Sequence, residues 1–300
     1  MSPIRMKPVT TDPNKIYTDI DEAEEKKRAS AGGGSAEDGE ESGRKDDFVE
    51  LGKAMVLAAV IALVIRAFLF EPFNIPSASM YPALKIGDYL FVEKYSYGYS
   101  RYSFPFGLAS FKGRYGTGRP ESGDIAVFRQ PKHPEIDYIK RIIGLPGDTI
   151  QMIEGRLYIN SVLVQREFIG AETVTDPDGT RVYQLYVETL PNGVKHHIYE
   201  LSDYDNYDNT MVYTVPEGHY FAMGDNRDAS MDSREQIQVG FVPEDNLVGR
   251  AGFLFFSTES IGDKCVKDGA LAAVKSVFCQ AVERPKAVRY SRIFRSVHGL

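Results

Sequence analysis

Hydrophobic positions follow two different patterns along the chain, and one gives way to the other near residue 70. From Ala54 to Ile65 twelve residues are apolar without a break, Arg66 interrupts, and Ala67-Phe68-Leu69-Phe70 continues. As a helix, Ala54–Phe70 covers roughly 25 Å, slightly short of the ~30 Å hydrocarbon core of a bilayer. Lys53 stands at one end and Arg66 near the other, where a long cationic side chain can snorkel to the headgroups. The competing reading is a buried helix of a soluble domain, but that would not need so solid an apolar run beside a polar, acidic segment. The pattern predicts one membrane anchor, residues 48–70. Its orientation is not set by charge: Arg44, Lys45 and Lys53 precede it, and Lys85, Lys94 and Arg101 follow.

Beyond Phe70 the pattern turns to short alternating runs between Gly/Pro punctuation, which predicts strands. The runs are Asp88–Glu93, Asp124–Arg129, Asp137–Ile143, Thr149–Ile153 and Arg156–Ile159. Turn chemistry separates them at Pro146-Gly147-Asp148, Asp176-Pro177-Asp178-Gly179 and Pro191-Asn192-Gly193. Residues 156–216 read as a β-rich insertion, because the chemistry-bearing motifs lie on either side of it. The expected organisation is a polar tail (1–47), the anchor (48–70), a β domain formed by 71–155 with 217–300, and the inserted β domain (156–216). The stretch Lys264–Val282 is compatible with a helix.

Composition narrows the classes. The chain has 300 residues, 43% of them hydrophobic, enough for a sizeable core. Of a net charge of −7, most comes from residues 1–50, with 13 acidic and 8 basic residues. That tail cannot bury enough apolar surface to offset its ordering entropy, so disorder is expected there. No basic block is present, which argues against nucleic acid as a partner. Cys265 and Cys279 fit no zinc pattern; in an exported domain they would form one disulfide. The segment Tyr95–Tyr115 interleaves aromatic rings with Gly, Ser and basic residues. It reads either as a packed hairpin or as a loop resting in the membrane interface.

Three separated segments carry candidate chemistry. Ser79 lies between Ala78 and Met80, bracketed by Pro76 and Pro82, which restrict the backbone. A lone serine in a loop is usually structural, and as a nucleophile it needs a base. None of the five histidines is well placed: His196 and His197 sit beside a turn of the insertion, His219 precedes a strand, His298 is near the end, and His133 lies in a Pro-rich loop. Lys140, in Tyr138-Ile139-Lys140-Arg141-Ile142-Ile143, is the better candidate. Pointing inward from a strand, it would be desolvated and able to hold a neutral amine; pointing outward, it would be an ordinary surface lysine. The third segment, Gly224-Asp225-Asn226-Arg227-Asp228-Ala229-Ser230-Met231-Asp232-Ser233-Arg234, is dense in hydrogen-bonding groups, with Ser230 able to bond a neutral amine.

Taken together, these segments resemble the type I signal peptidases, membrane-bound Ser/Lys endopeptidases that remove leader peptides from exported proteins. The matching stretches are Pro76-Ser77-Ala78-Ser79-Met80-Tyr81-Pro82 with Gly87-Asp88, Tyr138–Arg141 with Gly144-Leu145-Pro146-Gly147-Asp148, Gly224–Arg227 with Ser230, Asp232, Ser233 and Arg234, and Gly240-Phe241-Val242-Pro243. The resemblance runs from about residue 54 to 257. It implies a mainly antiparallel β catalytic domain with an inserted β-rich domain, behind one N-terminal transmembrane helix. By position it implies Ser79 as nucleophile, Lys140 as general base, Ser77 with the Ser79 N–H as oxyanion hole, and Ser230 orienting the lysine. Asp232, Arg234 and Arg141 would brace the site. Phe73, Ile75, Pro76, Leu84, Tyr138 and Ile139 would line pockets for small residues of an Ala-X-Ala type cleavage site. The implied partners are preprotein signal peptides and the phospholipid bilayer, at the bacterial inner membrane with the catalytic domain outside. No metal or cofactor is implied. Some members carry two spans where one is read here, and the polar tail has no assigned role. The alternatives are a Ser/Lys maturation peptidase with a narrow client, and a membrane-tethered β binding domain without activity.

Overall fold

In the computed structural model the described residues are 37–104, 111–176, 179–259 and 287–298. The expected Cys265–Cys279 disulfide and the helix over 264–282 lie outside them. Helix α1 spans Glu37–Phe68, so it reaches back into the segment expected to be an unstructured tail. Its stretch Phe48–Phe68 is long and apolar enough to cross a membrane, and none of it is buried. The helix stops two residues short of the expected boundary at 70, because Phe70 already belongs to strand β1 (Phe70–Asn74).

The carbonyls of a helix's last turn lack partners within the helix. Here Lys94 Nζ donates to the Arg66 carbonyl at 2.9 Å and the Tyr99 hydroxyl to that of Phe68 at 2.7 Å. Lys94 is buried and closes an ion pair with Glu71 at 2.8 Å. Tyr99 and Phe104 pack edge-on or tilted against Phe68 and each other. Arg114 donates to the carbonyls of Tyr97, Gly98, Glu244 and Leu247. The described part of Tyr95–Tyr115 is therefore a packed aromatic segment with a paired Tyr99–Tyr115 bridge.

The main sheet has seven strands. Besides β1 they are β2 (Asp88–Glu93), β3 (Ile125–Arg129), β4 (Asp137–Gly144), β12 (His219–Met223), β13 (Val242–Pro243) and β14 (Leu247–Ser257). Their order is β1-β2-β14-β3-β4-β12-β13, antiparallel throughout. Alternation explains β2, where Leu90 and Val92 point into the core and Tyr89 outward. Strands β3 and β4 are buried on both faces: Val127 and Ile139 join one apolar cluster with Ile75, Leu84 and Leu90, while Phe128 and Ile142 join another with Tyr220 and Val242.

Two smaller sheets follow. Strands β5 (Thr149–Ile153), β6 (Arg156–Ile159), β7 (Val162–Leu163) and β11 (Tyr213–Thr214) pair in the order β11-β5-β6-β7. Strands β8 (Gln165–Asp176), β9 (Gly179–Thr189) and β10 (Lys195–Glu200) pair as β10-β9-β8. Glu154 and Gly155 both take positive φ, 48° and 68°, as a two-residue hairpin turn requires. The boundary expected between 155 and 156 falls at this β5–β6 turn, so strand pairing does not divide the chain there.

Candidate active site

Ser79 sits in a single 3-10 turn, Ala78–Met80, that follows β1. Lys140 lies mid-strand in β4, on the face opposite Ile139 and Arg141. Of the two orientations open to it, the structure takes the inward one, with only 5% of the residue exposed. Lys140 Nζ is 2.6 Å from Ser79 Oγ, and Ser79 is itself buried. Burial pushes the Lys140 amine down to about 8, Asp232 and Asp225 pull it back up, and Arg234 adds to the depression. An amine in that range is neutral often enough near neutral pH to accept a hydroxyl proton, whereas a solvated lysine at ~10.4 is not.

Ser77 Oγ lies 3.3 Å from Ser79 Oγ, and Ser77 is exposed. The N–H of Ser79 belongs to the first residues of its turn and so lacks a partner within it. A hydroxyl and an N–H thus stand beside Ser79 Oγ.

The loop after β12 grips the serine from behind. Asn226 donates its backbone N–H to the Ser79 carbonyl at 3.1 Å and its side-chain amide to that of Ala78 at 3.2 Å. A Cβ on Gly224 would lie 2.2 Å from Ser230 Oγ and 2.5 Å from the Ser79 carbonyl oxygen, so only glycine allows this approach. Ser230 is buried against Gly224, but no hydrogen bond joins it to Lys140, whose amine is engaged with Ser79.

Three buried ion pairs fix the loop. Arg234 closes on Asp232 at 2.9 and 3.0 Å, and the Gly224 N–H also donates to that carboxylate. Burial alone would raise Asp232, but Arg234 and these donors hold it below the usual carboxylate range. Arg141 grips Asp225 through two bonds of 2.8 Å. Arg227 closes on Glu188 of β9, with His196 Nε2 3.3 Å from the same carboxylate. Asp232, Arg234 and Arg141 were read from the sequence as bracing residues. Asn226, Asp225 and Glu188 were not assigned roles, and Glu188 lies in no matching stretch.

The residues expected to line pockets divide between the faces of β4. Ile75, Leu84 and Ile139 are buried in one cluster with Phe73 packed against it. Tyr138 packs on the other face, its ring 5.4 Å beneath Lys140 Nζ, and Pro76 is exposed next to Ser77.

Residues 48–256 match the signal peptidase family, peptidase S26. A signal peptidase I of Rickettsia typhi is 43% identical over 248 residues, 80% of this chain and 90% of its own length. A signal peptidase I of Rickettsia akari is 43% identical over 248 residues, 80% of this chain and 89% of its own. A solved signal peptidase I of Enterococcus faecalis V583 is 30% identical, covers 44% of this chain and 96% of its own, and superposes with a TM-score of 0.27.

Proposed function

From the premise that the chain belongs to the signal peptidase family and is a serine peptidase, we propose that it cleaves leader peptides from exported preproteins with Ser79 as nucleophile and Lys140 as general base. The observation that carries this reading is the buried 2.6 Å contact between Lys140 Nζ and Ser79 Oγ. In the neutral amine state the Ser79 hydroxyl donates to Nζ. As Oγ attacks the carbonyl carbon of the scissile bond, its proton passes to Lys140. The Ser77 hydroxyl and the Ser79 N–H donate to the developing oxyanion. The Lys140 ammonium then returns the proton to the departing amine of the mature protein. Water, deprotonated by the same amine, releases the leader peptide from the acyl-enzyme. Phe48–Phe68 supports attachment to the inner membrane, and the proposed orientation puts the catalytic domain on the outer side.

Two measurements bear on this reading. The amine must be neutral to act, so kcat/KM is expected to rise as pH passes through about 8 and to level off above it. An acid limb that disappears in His133→Ala would make histidine the base instead; the His133 ring is exposed and pairs only with Glu135 among the described residues.

Specificity rests on the apolar lining. Phe73 packs over Ile75, Leu84 and Ile139, and a pocket lined by such bulky apolar groups would admit small side chains and penalise large ones. In a peptide series varied at the first and third positions before the cut, Ala and Ser should outpace Val and Phe by ~100-fold or more. Equal rates for Phe and Ala at the first position would remove these residues from the pocket.

A further inference from the structure

Away from the Ser79–Lys140 contact, three carboxylates converge where the insertion meets the loop after β12. Glu200 ends β10, Asp208 lies in the loop that follows, and Asp228 is in the turn Arg227–Ala229. An oxygen from each lies within 4.8 Å of an oxygen of the other two. Glu200 is 1% exposed and Asp208 0%, while Asp228 is half-buried.

The two most buried of these acids each keep an oxygen without a donor. Glu200 Oε2 and Asp208 Oδ1 are buried without a hydrogen-bond partner among the described residues. The remaining oxygens are engaged elsewhere: Asp228 Oδ2 accepts from the Leu201 and Ser202 N–H groups, Asp208 Oδ2 from the Asp205 N–H, and Glu200 Oε1 lies 3.5 Å from Arg166 Nη1. The nearby guanidiniums are each held more closely by another carboxylate: Arg166 by Asp203, Arg227 by Glu188, Arg234 by Asp232. Burial accordingly pushes Glu200 well above the usual carboxylate range, and Asp208 and Asp228 upward as well. A buried acceptor without a donor is a standing cost, and two within one cluster of three acids are rarely left so.

Carboxylate oxygens alone suit a hard cation rather than zinc or copper. Ligands bound to Ca2+ at about 2.3–2.6 Å stand at most about 5 Å apart, which matches the observed spread, whereas Mg2+ demands a tighter octahedron. We propose that Glu200, Asp208 and Asp228 form a binding site for a divalent cation of the Ca2+ class, tying the insertion to the loop that carries Asn226 and Ser230. The ion takes no part in the chemistry at Ser79. It holds Asp228, and through the backbone the loop that grips the serine, against β10.

The experiment uses the full-length chain in detergent, stripped with EDTA. Calorimetric titration with CaCl2 should show one site, with an affinity no weaker than about the millimolar range of extracellular Ca2+ modules. Saturating CaCl2 should raise the Tm by on the order of 5 °C, and MgCl2 by less. Glu200→Gln and Asp208→Asn, neutral and nearly isosteric, should each lose the Ca2+ response. No heat of binding and an unmoved Tm in the wild-type chain would overturn the proposal even if both variants fail to fold. A Ca2+ response undiminished in both variants would overturn it too. So would a Ca2+-indifferent wild type whose Glu200→Gln form is more stable, because the carboxylates would then share a proton.

Discussion

Replacing Ser79 by Ala, Lys140 by Ala, or both together is expected to reduce kcat for a short leader-peptide substrate by the same amount, on the order of 10⁴-fold or more. The equality follows from the geometry. Lys140 Nζ reaches Ser79 Oγ at 2.6 Å, and among the described residues no other titratable group hydrogen-bonds that hydroxyl. Removing the base leaves a hydroxyl with an unperturbed pKa, and removing the hydroxyl leaves a base with nothing to activate, so the losses do not add. The fold should survive both changes. Ser79→Ala deletes one oxygen, and Lys140→Ala removes a group whose charge is already disfavoured by burial. Far-UV circular dichroism and Tm near wild type would confirm that the loss is chemical. If Lys140→Ala retained a tenth of the activity, the base would lie elsewhere.

Glu188→Ala should have the largest effect on stability, about 3–5 kcal/mol in denaturant unfolding. Glu188 and Arg227 are both about 1% exposed, and their contact joins β9 to the loop that holds Ser79. Truncating the carboxylate leaves the guanidinium buried and uncompensated, which is costlier than never having had the pair. Replacing both with apolar residues, Glu188→Leu with Arg227→Met, should recover much of the loss, and a double variant no better than Glu188→Ala would contradict the assignment. The pair also sets an acid limit. Burial alone would raise Glu188, but Arg227 and His196 hold it far below the usual carboxylate range. Its contribution is therefore present above the unfolded value of ~4.3 and is lost as pH falls toward the depressed folded value.

Strands β2, β5 and β6 were legible because they obey one rule. Asp88–Glu93, Thr149–Ile153 and Arg156–Ile159 keep the ends read from the sequence, since alternate side chains enter a core. The β8–β9 hairpin offered no such pattern: most of its residues are exposed on both faces, so burial imposes no alternation. Helix α1 was legible where it is apolar and not over Glu37–Asp47, where polar residues carry no periodic signal. The candidate site divides in the same way. Ser79 and Lys140 were candidates from their own segments, and it was the joint resemblance of the three segments to type I signal peptidases that paired them. The grip of Asn226 on Ser79 and the choice of Glu188 by Arg227 depend on how segments distant in sequence approach, which side-chain type alone does not encode. The cluster of Glu200, Asp208 and Asp228 was illegible for the same reason: three acids among many became informative only once two were found buried without donors.

The most direct test incubates the purified full-length chain with an intact preprotein in detergent or vesicles and weighs the products by mass spectrometry. Wild-type chain should yield the mature protein, cut after a small residue, together with its leader, and Ser79→Ala should leave the preprotein intact. An uncut preprotein with the wild type, or equal cleavage by Ser79→Ala, would contradict the assignment of this site and this substrate.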